Sequence, residues 1–574
     1  MKIMLRYLKP FYGRMSVGLM IKIAGTLVEL LLPYILSHIL KTVVVSQDVL
    51  EIVKWGGLMI LCAAAACLLN IIANRMAAKV SRNFSEKVRH DLFSHTLRLS
   101  AAQTDRFTIP SLESRITTDT YNLHNFIGMM QRMGVRAPIL LIGGLAITLL
   151  MDHRLALVMI AVLPFIFVTV YFISKKGIPL YAKVQDSVDN MVRVVREDTQ
   201  GIRVIKALSK TEYEHRRYDK VNKELSHDER HAGTIMSAAN PVMTLLMNGA
   251  IAAVVAFSAT LVANHKSDPE TVIAFMQYFT LISMAMMSVS RIFVMYTKSA
   301  ASARRIAEVI EAPEEITVQS ETDFPTIRSD AFIEFDHVTF SYRGKHPNLE
   351  DISFRLKRGE SIGIIGATGS GKTTLIRLLL RFYDVGSGAV RIDGRDIRTI
   401  PKDELYAMFG IALQHDFLYA DTVEENINLG RNLSHEEIAQ ATRIAQAEDF
   451  ILAFPDGYAH MLSQKATNIS GGQKQRLLIS RAIAGNPKIL VLDDSSSALD
   501  YKTDANLRRA LKENCKDTTV VTVAQRVSSV KDSDLILVLD DGKIIGAGKH
   551  EELLENCLPY REISESQMGG AIVE

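Results

Sequence analysis

At 574 residues the chain is long enough for about two to four domains. Hydrophobic residues make up 48% of it and the mean hydropathy is +0.12, too apolar for an ordinary soluble enzyme, so membrane segments are expected. A net charge of +3 is unremarkable at this size and gives no case for nucleic-acid binding.

The N-terminus carries Lys2, Arg6, Lys9 and Arg14 with no acid among them, which places it in the cytoplasm by the positive-inside rule. No small-residue cleavage pattern follows, so a removable signal is not expected. Apolar runs of about 20 residues then occur at 16–40, 55–74, 127–151, 155–174, 235–263 and 271–296. Six crossings would return the C-terminal part to the cytoplasm. Lys22 and Glu29 fall on one face of the first run, and Arg291 lies late in the sixth. Such charges either line a polar cavity or serve as structural ion pairs and snorkelling side chains. Met236, Met243 and Met247, with Met276, Met284, Met286, Met287 and Met295, offer adaptable apolar surface or ordinary packing.

Between these runs, 75–126 and 175–234 are polar with helical spacing. Each is read as two antiparallel helices of about 25 residues, reaching about 40 Å beyond a membrane. From 297 to 330 the pattern changes: Arg304 and Arg305 lead to Glu308, Glu311, Glu314 and Glu315, with Pro313 and Pro325 breaking the helix, as in a linker. Cys62, Cys67, Cys515 and Cys557 lack metal-ligand spacing and are expected to be reduced.

The remainder alternates strand and helix signals. Phe332–Phe340 alternates like a strand and is followed by Tyr342; Leu356–Ile365 reads as a strand feeding Gly366-Ala367-Thr368-Gly369-Ser370-Gly371-Lys372-Thr373; Leu375–Leu380 opens a helix. Strand, glycine-rich loop and helix in that order form a phosphate cradle: the glycines let successive backbone N–H groups close on phosphates, Lys372 reaches the outer oxygens and Thr373 can meet Mg²⁺. Further on come the strand-like Phe409–Leu413 with Gln414, then Ser470-Gly471-Gly472-Gln473, then the apolar run Ile489–Leu492 ending in Asp493. A carboxylate at such a strand tip is suited to hold Mg²⁺ through water.

In this order the motifs resemble the nucleotide-binding domain of ATP-binding cassette (ABC) proteins over about residues 330–565, and the whole layout is similar to an exporter-type half-transporter. The resemblance implies a six-helix α-helical transmembrane domain (type I exporter, or type IV ABC fold) at 1–300, a linker at 301–330 and an α/β P-loop ABC nucleotide-binding domain at 331–574. It implies ATP and Mg²⁺ as ligands, with Tyr342 stacking on adenine. Gly366, Gly369, Ser370, Gly371, Lys372, Thr373 and Thr374 would hold the phosphates, and Thr373, Gln414 and Asp493 the metal. Ser470, Gly471, Gly472 and Gln473 form the signature, with Ile469 where Leu is commoner, and Asp500 closes the D-loop Ser497-Ala498-Leu499-Asp500. The segment Ser114–Asp119 resembles the stretch preceding the first coupling helix of exporters, and Glu197 with Gly201–Ala207 resembles the second.

Two positions depart from the family pattern. The general base after Asp493, normally Glu, is Asp494; the switch residue, normally His, is Gln525 in Ala524-Gln525-Arg526. A shift of about 1 Å in a catalytic group costs on the order of 100-fold, and an amide has no imidazole proton chemistry. The implied protein is the degenerate-site half of a heterodimeric exporter of drugs, lipids or peptides, cutting its own ATP slowly and lending its signature to a second half-transporter subunit. A homodimer with two slow sites, an exporter-fold importer such as one for siderophores, and a non-transport ATP-dependent regulator share these motifs.

Overall fold

A computed structural model describes residues 2–263, 269–313, 316–342, 344, 346–414, 416–495 and 497–568. The chain forms two compact units, one of Met1–Leu97 and Phe107–Ala312, the other of Arg98–Arg106 and Pro313–Glu574.

The first unit is helical. Its main elements are α1 (Tyr12–His38), α2 (Val49–Thr96), α3 (Thr120–Met151), α4 (His153–Gln200), α5 (Thr211–Ser237), α6 (Ala239–Ala263) and α7 (Pro269–Ile310). Asp48 and Asp152 cap α2 and α4, each carboxylate accepting a backbone N–H from the first turn. Close approach of the apolar helices depends on small residues. A Cβ on Gly143 would lie 2.7 Å from Leu30 Cδ1, and one on Gly144 3.0 Å from Ile282 Cγ1, so α3 meets α1 and α7 with no room for a side chain. Tyr278 donates its buried hydroxyl to the Leu30 carbonyl at 2.7 Å, closing the same core. Elsewhere the apolar runs turn outward, with Ile60 70% and Leu61 66% exposed on α2, a surface suited to acyl chains.

Among the described residues four helical stretches are long and apolar enough to cross a membrane, within Ile3–Val43, Val49–Thr96, Ile109–Met151 and Thr271–Val289. The expected runs at 155–174 and 235–263 coincide with the shorter apolar stretches His153–Thr169 and Thr244–Thr260. The polar arms are continuations of these helices: α2 and α4 run unbroken for 48 residues each, about 72 Å. On the second arm, Lys183 of α4 and Asp228 of α5 meet at 2.7 Å and Ser187 donates to the other carboxylate oxygen at 2.8 Å. The resemblance order of the first arm needs correction. The short helix Ala101–Phe107, all but its last residue within the second unit, lies upstream of Ser114–Asp119 rather than after it. The Ser114–Asp119 segment instead anchors α7: Arg115 donates to the Arg305 carbonyl and pairs with Glu308 at 3.3 Å, and buried Asp119 accepts from Ser302 at 2.8 Å and pairs with Arg305. The Gly201–Ala207 stretch forms the short helix Ile202–Ala207, which leaves Val204 61% exposed.

The second unit is α/β. Strands β1 (Ile333–Phe340), β2 (Leu349–Leu356), β4 (Ser387–Ile392) and β5 (Arg395–Asp396) make an antiparallel sheet in the order β2-β1-β4-β5. Strands β3 (Ser361–Gly366), β6 (Phe409–Ala412), β7 (Ile489–Asp493), β8 (Thr519–Val523), β9 (Leu535–Asp540) and β10 (Lys543–Gly548) make a second sheet, order β10-β9-β3-β8-β7-β6, parallel except for β10. Every residue of β7 is buried, as the unbroken apolar run requires of a strand covered on both faces. The expected single strand over Leu356–Ile365 is two strands divided by a turn. Gly359 sits there at φ +80°, and a Cβ on it would lie 2.8 Å from the Lys516 carbonyl.

Candidate functional site

The parallel sheet delivers four strand ends, those of β3, β6, β7 and β8, to one cleft. At the end of β3, the loop from Gly366 leads into α8 (Lys372–Leu379). Gly366 is in register with Leu539 of β9, and a Cβ there would be 2.1 Å from the Leu539 carbonyl oxygen. Gly369 and Gly371 hold φ +89° and +102°, and a Cβ on Gly371 would lie 2.7 Å from Leu349 Cδ2. The loop is therefore shaped backbone-first, as a nest of N–H groups at a helix N-terminus that suits an anion. Lys372 folds back across it, its Nζ 2.7 Å from the carbonyl oxygens of both Gly366 and Ala367. Burial pushes the Lys372 ammonium down from its usual range, while nearby Asp493 and Asp494 pull it up. A triphosphate would offer that cation stronger acceptors than two carbonyls.

Thr373, Thr374, Gln414, Asp493, Asp494 and Gln525 line the same cleft, with Asn348 on its rim. Asp493 is 2% exposed at the tip of β7. Its carboxylate, the Thr373 hydroxyl and the Gln414 amide are hard oxygen donors of the kind Mg²⁺ takes together with substrate phosphates, so the donor set fits that ion. Asp494 adopts a left-handed backbone, φ 50°, and its N–H bonds to the Val523 carbonyl at 2.9 Å. Two amides converge on one of its oxygens: Nε2 of Gln414 and Nε2 of Gln525 each donate to Asp494 Oδ2 at 3.1 Å.

Tyr342 stands beside this loop, 38% exposed, with its hydroxyl accepting from Arg377 at 3.2 Å. Its ring meets Phe340 and Tyr383 edge-on at 4.9 and 5.0 Å, and the Arg377 guanidinium lies over it at 5.9 Å. The Tyr383 hydroxyl donates to Asp105, so the Ala101–Phe107 helix is joined to the aromatic cluster. Burial, then the Asp105 carboxylate, pushes the Tyr383 phenol up.

Ser470, Gly471, Gly472, Gln473 and Asp500 do not line this cleft. They sit at two helix starts. Ser470 caps α9 (Gly471–Ile483) in a reciprocal capping box: Ser470 Oγ accepts the Gln473 N–H at 3.2 Å and Gln473 Oε1 accepts the Ser470 N–H at 2.9 Å. Gly471 faces open space, with nothing within 4 Å of where a Cβ would be. Asp500 caps α10 (Tyr501–Asn514), with Oδ1 accepting the Thr503 N–H at 2.9 Å and Oδ2 the Thr503 hydroxyl at 2.8 Å. The bonds from Thr503 hold its carboxyl below the usual range.

In the helical unit, Lys22 and Glu29 do not pair with each other. Lys22 donates to Asn70 and Asn74 of α2 at 2.7 and 3.2 Å, while Glu29 forms a two-point pair with Arg136 of α3 at 2.6 and 3.2 Å. Arg291 is exposed on α7. Of the methionines, Met247, Met286 and Met287 pack on the core of Met159, Ala250, Phe279 and Ile282; the Met243 side chain lies outside the described residues. Arg136, Asn348, Arg377 and Tyr383 were not singled out from the sequence. Arg136 and Arg377 sit in helices whose pattern is already explained by hydropathy, and Asn348 and Tyr383 lie outside any helix or strand, where no periodicity points to them.

A P-loop cleft on a parallel sheet, in a chain whose other half is long apolar helices, defines an ATP-binding protein built into a membrane. Comparison with known proteins gives the family. The model for the ABC transporter transmembrane region matches residues 15–286 and the ABC transporter model matches 349–497. The uncharacterized ABC transporter ATP-binding protein MT1311 of Mycobacterium tuberculosis is 32% identical over 99% of this chain and 98% of its own length. The uncharacterized ABC transporter ATP-binding protein YfiB of Bacillus subtilis is 33% identical over 98% of both. The chain belongs to the ABC transporter family. Its fold matches a solved bacterial Atm1-family ABC exporter with ATP bound, TM-score 0.80 over 98% of both chains at 22% identity. It is thus a multi-pass membrane protein with an exporter-type transmembrane domain followed by an ATPase domain, of a kind that works as a dimer with itself or with another half-transporter.

Proposed function

We propose that this chain is the slow-hydrolysing half of a heterodimeric ABC exporter. The observation that carries the reading is the state of Asp494. Residues suited to hold phosphates and Mg²⁺ line one cleft, yet the position that would activate water carries the shorter carboxylate, with two amides on a single oxygen. In the reading, Tyr342 stacks on adenine, the loop from Gly366 to Thr374 holds the phosphates and Lys372 leaves its two carbonyls to offset their charge. Mg²⁺, when bound, would neutralise phosphate charge beside Thr373, Gln414 and Asp493. Asp494 orients water poorly because its carboxylate stops about 1 Å short, and Gln525 can donate a hydrogen bond but cannot exchange a proton at neutral pH.

Gly471 facing open space supports a signature that closes on ATP held by the partner, and the partner's signature would close on this P-loop in turn. We further propose six crossings with both termini on the ATP side, supported by four long apolar helices plus the two shorter apolar stretches, and domain limits of 1–300, 301–330 and 331–574. The cargo is hydrophobic or amphiphilic and moves outward. Co-purification from the native membrane tests the pairing: a second half-transporter with Glu and His at the equivalent positions is expected, and recovery of this chain alone as a homodimer would overturn it.

A further inference from the structure

Acidic side chains are nearly absent where α1, α2, α3 and α7 pack together. Glu29 is the sole acid of α1, none occurs in α3, α2 has none between Glu51 and Glu86, and α7 has none between Glu270 and Glu308. Basic groups are not absent. Lys22 is 4% exposed and has only the Asn70 and Asn74 carbonyl oxygens as acceptors, with no carboxylate among the described residues. Arg132 donates its Nε to the Gly128 carbonyl at 3.0 Å and lies over Gly128 beside Ser81 of α2, again with no acid partner among the described residues. Arg136, one turn further along α3, spends its Nε and one terminal nitrogen on Glu29 and keeps its other terminal nitrogen. Lys22 lies within electrostatic reach of Glu29, Arg132 and Arg136.

Three cations thus share one carboxylate in the membrane half of the chain. Uncompensated charge on buried Lys22 is costly and a bound counter-charge is a direct way to relieve it, while Arg132 is exposed and the Arg136 side chain 41% exposed, so both are open to a ligand. We propose that Lys22, Arg132 and Arg136 form a recognition site for the anionic group, phosphate or carboxylate, of an amphiphilic ligand. This rests on the transporter reading and narrows its cargo to negatively charged amphiphiles. Arg132 and Arg136 stand about 6 Å apart along one helix face, so their free N–H groups can grip one anion from two sides, and Lys22 adds long-range attraction from α1.

The test is nucleotide-free binding of dodecyl phosphate and dodecyltrimethylammonium to the full chain, with any co-purifying partner, in phosphatidylcholine nanodiscs, read by native mass spectrometry. Dodecyl phosphate should bind at least about tenfold more tightly than the cationic amphiphile, and Arg132→Gln should remove about tenfold of that while Arg132→Lys retains most of it. Displacement by millimolar inorganic phosphate would assign the site to a free anion; resistance to it would assign it to an amphiphile headgroup. Equal binding of the two amphiphiles by the wild type, or undiminished dodecyl phosphate binding by an Arg132→Gln protein of unchanged melting temperature, would overturn the proposal. ATP binding measured on the same samples separates the two readings: its loss would strike the transporter reading and leave the anion site standing.

Discussion

Replacing Gly471 by Asp separates the fold from the function of the signature. In this chain the change is harmless: nothing lies within 4 Å of the new Cβ, and the residue opens α9, where a carboxylate near the helix N-terminus is favourable by about 0.3–1 kcal/mol. If the signature closes on the partner's ATP, the same carboxylate meets a triphosphate. At about 4 Å and an effective dielectric of about 20, one pair of like charges repels by about 4 kcal/mol. Gly471 is exposed, so screening reduces that to roughly 2 kcal/mol, or about 30-fold in rate. The assay is ATPase turnover of the purified complex beside its melting temperature and its nucleotide retention at Lys372. A drop of about 30-fold with the other two unchanged is expected. An intact complex turning over at the wild-type rate would refute the trans arrangement.

Other perturbations probe the cleft itself. Lys372→Ala removes the ammonium that now rests on the Gly366 and Ala367 carbonyls, and ATP binding at this P-loop should weaken roughly 30-fold or more; titration of the full chain showing a change under threefold would count against the assignment. Tyr342→Ala should cost roughly tenfold in adenine nucleotide affinity through lost stacking, with a smaller loss for Tyr342→Phe. Asp494→Asn should leave total turnover within about twofold of wild type, because a carboxylate about 1 Å short contributes on the order of a hundredth of the rate, whereas removing the partner's expected glutamate should nearly abolish it. On the second arm, the bond from Lys183, then that from Ser187, pulls the Asp228 carboxyl down to about 2. Its folded value lies below the unfolded value of about 3.9, so its contribution is complete above about pH 4 and is lost as pH falls toward 2. Corrected hydrogen exchange in α5 should therefore be flat from neutral pH to about 4 and rise below, and Asp228→Asn should show the raised exchange throughout; a flat wild-type profile down to pH 2 would contradict this.

The cleft was legible in the sequence wherever chemistry demands fixed residue types. The glycines at 366, 369 and 371 had to be glycines, because one abuts a neighbouring strand and two hold positive φ. The run Ile489–Leu492 announced a doubly covered strand because no polar residue interrupts it. The turn at Gly359 was hidden because apolar residues flank it on both sides, and only the close approach of Lys516 requires it. The Ala101–Phe107 helix has no apolar pattern of its own; its place in the second unit comes from tertiary bonds such as Tyr383 to Asp105. Arg136 was passed over inside an apolar run, since its partner Glu29 is 107 residues away in the chain. Asp494 and Gln525 stood out in the sequence as departures from the family pattern and Gln414 as a match to it, but the convergence of both amides on one oxygen is a fact of geometry.

The central claim is that this chain retains ATP at its own P-loop while hydrolysis proceeds elsewhere in the complex. Site-resolved nucleotide analysis at steady state tests it most directly: the complex is photolabelled with an azido-ATP, quenched during turnover, and the nucleotide crosslinked to each subunit is identified. The account predicts intact triphosphate on this chain and diphosphate accumulating on its partner. Equal proportions of diphosphate on both subunits would contradict it.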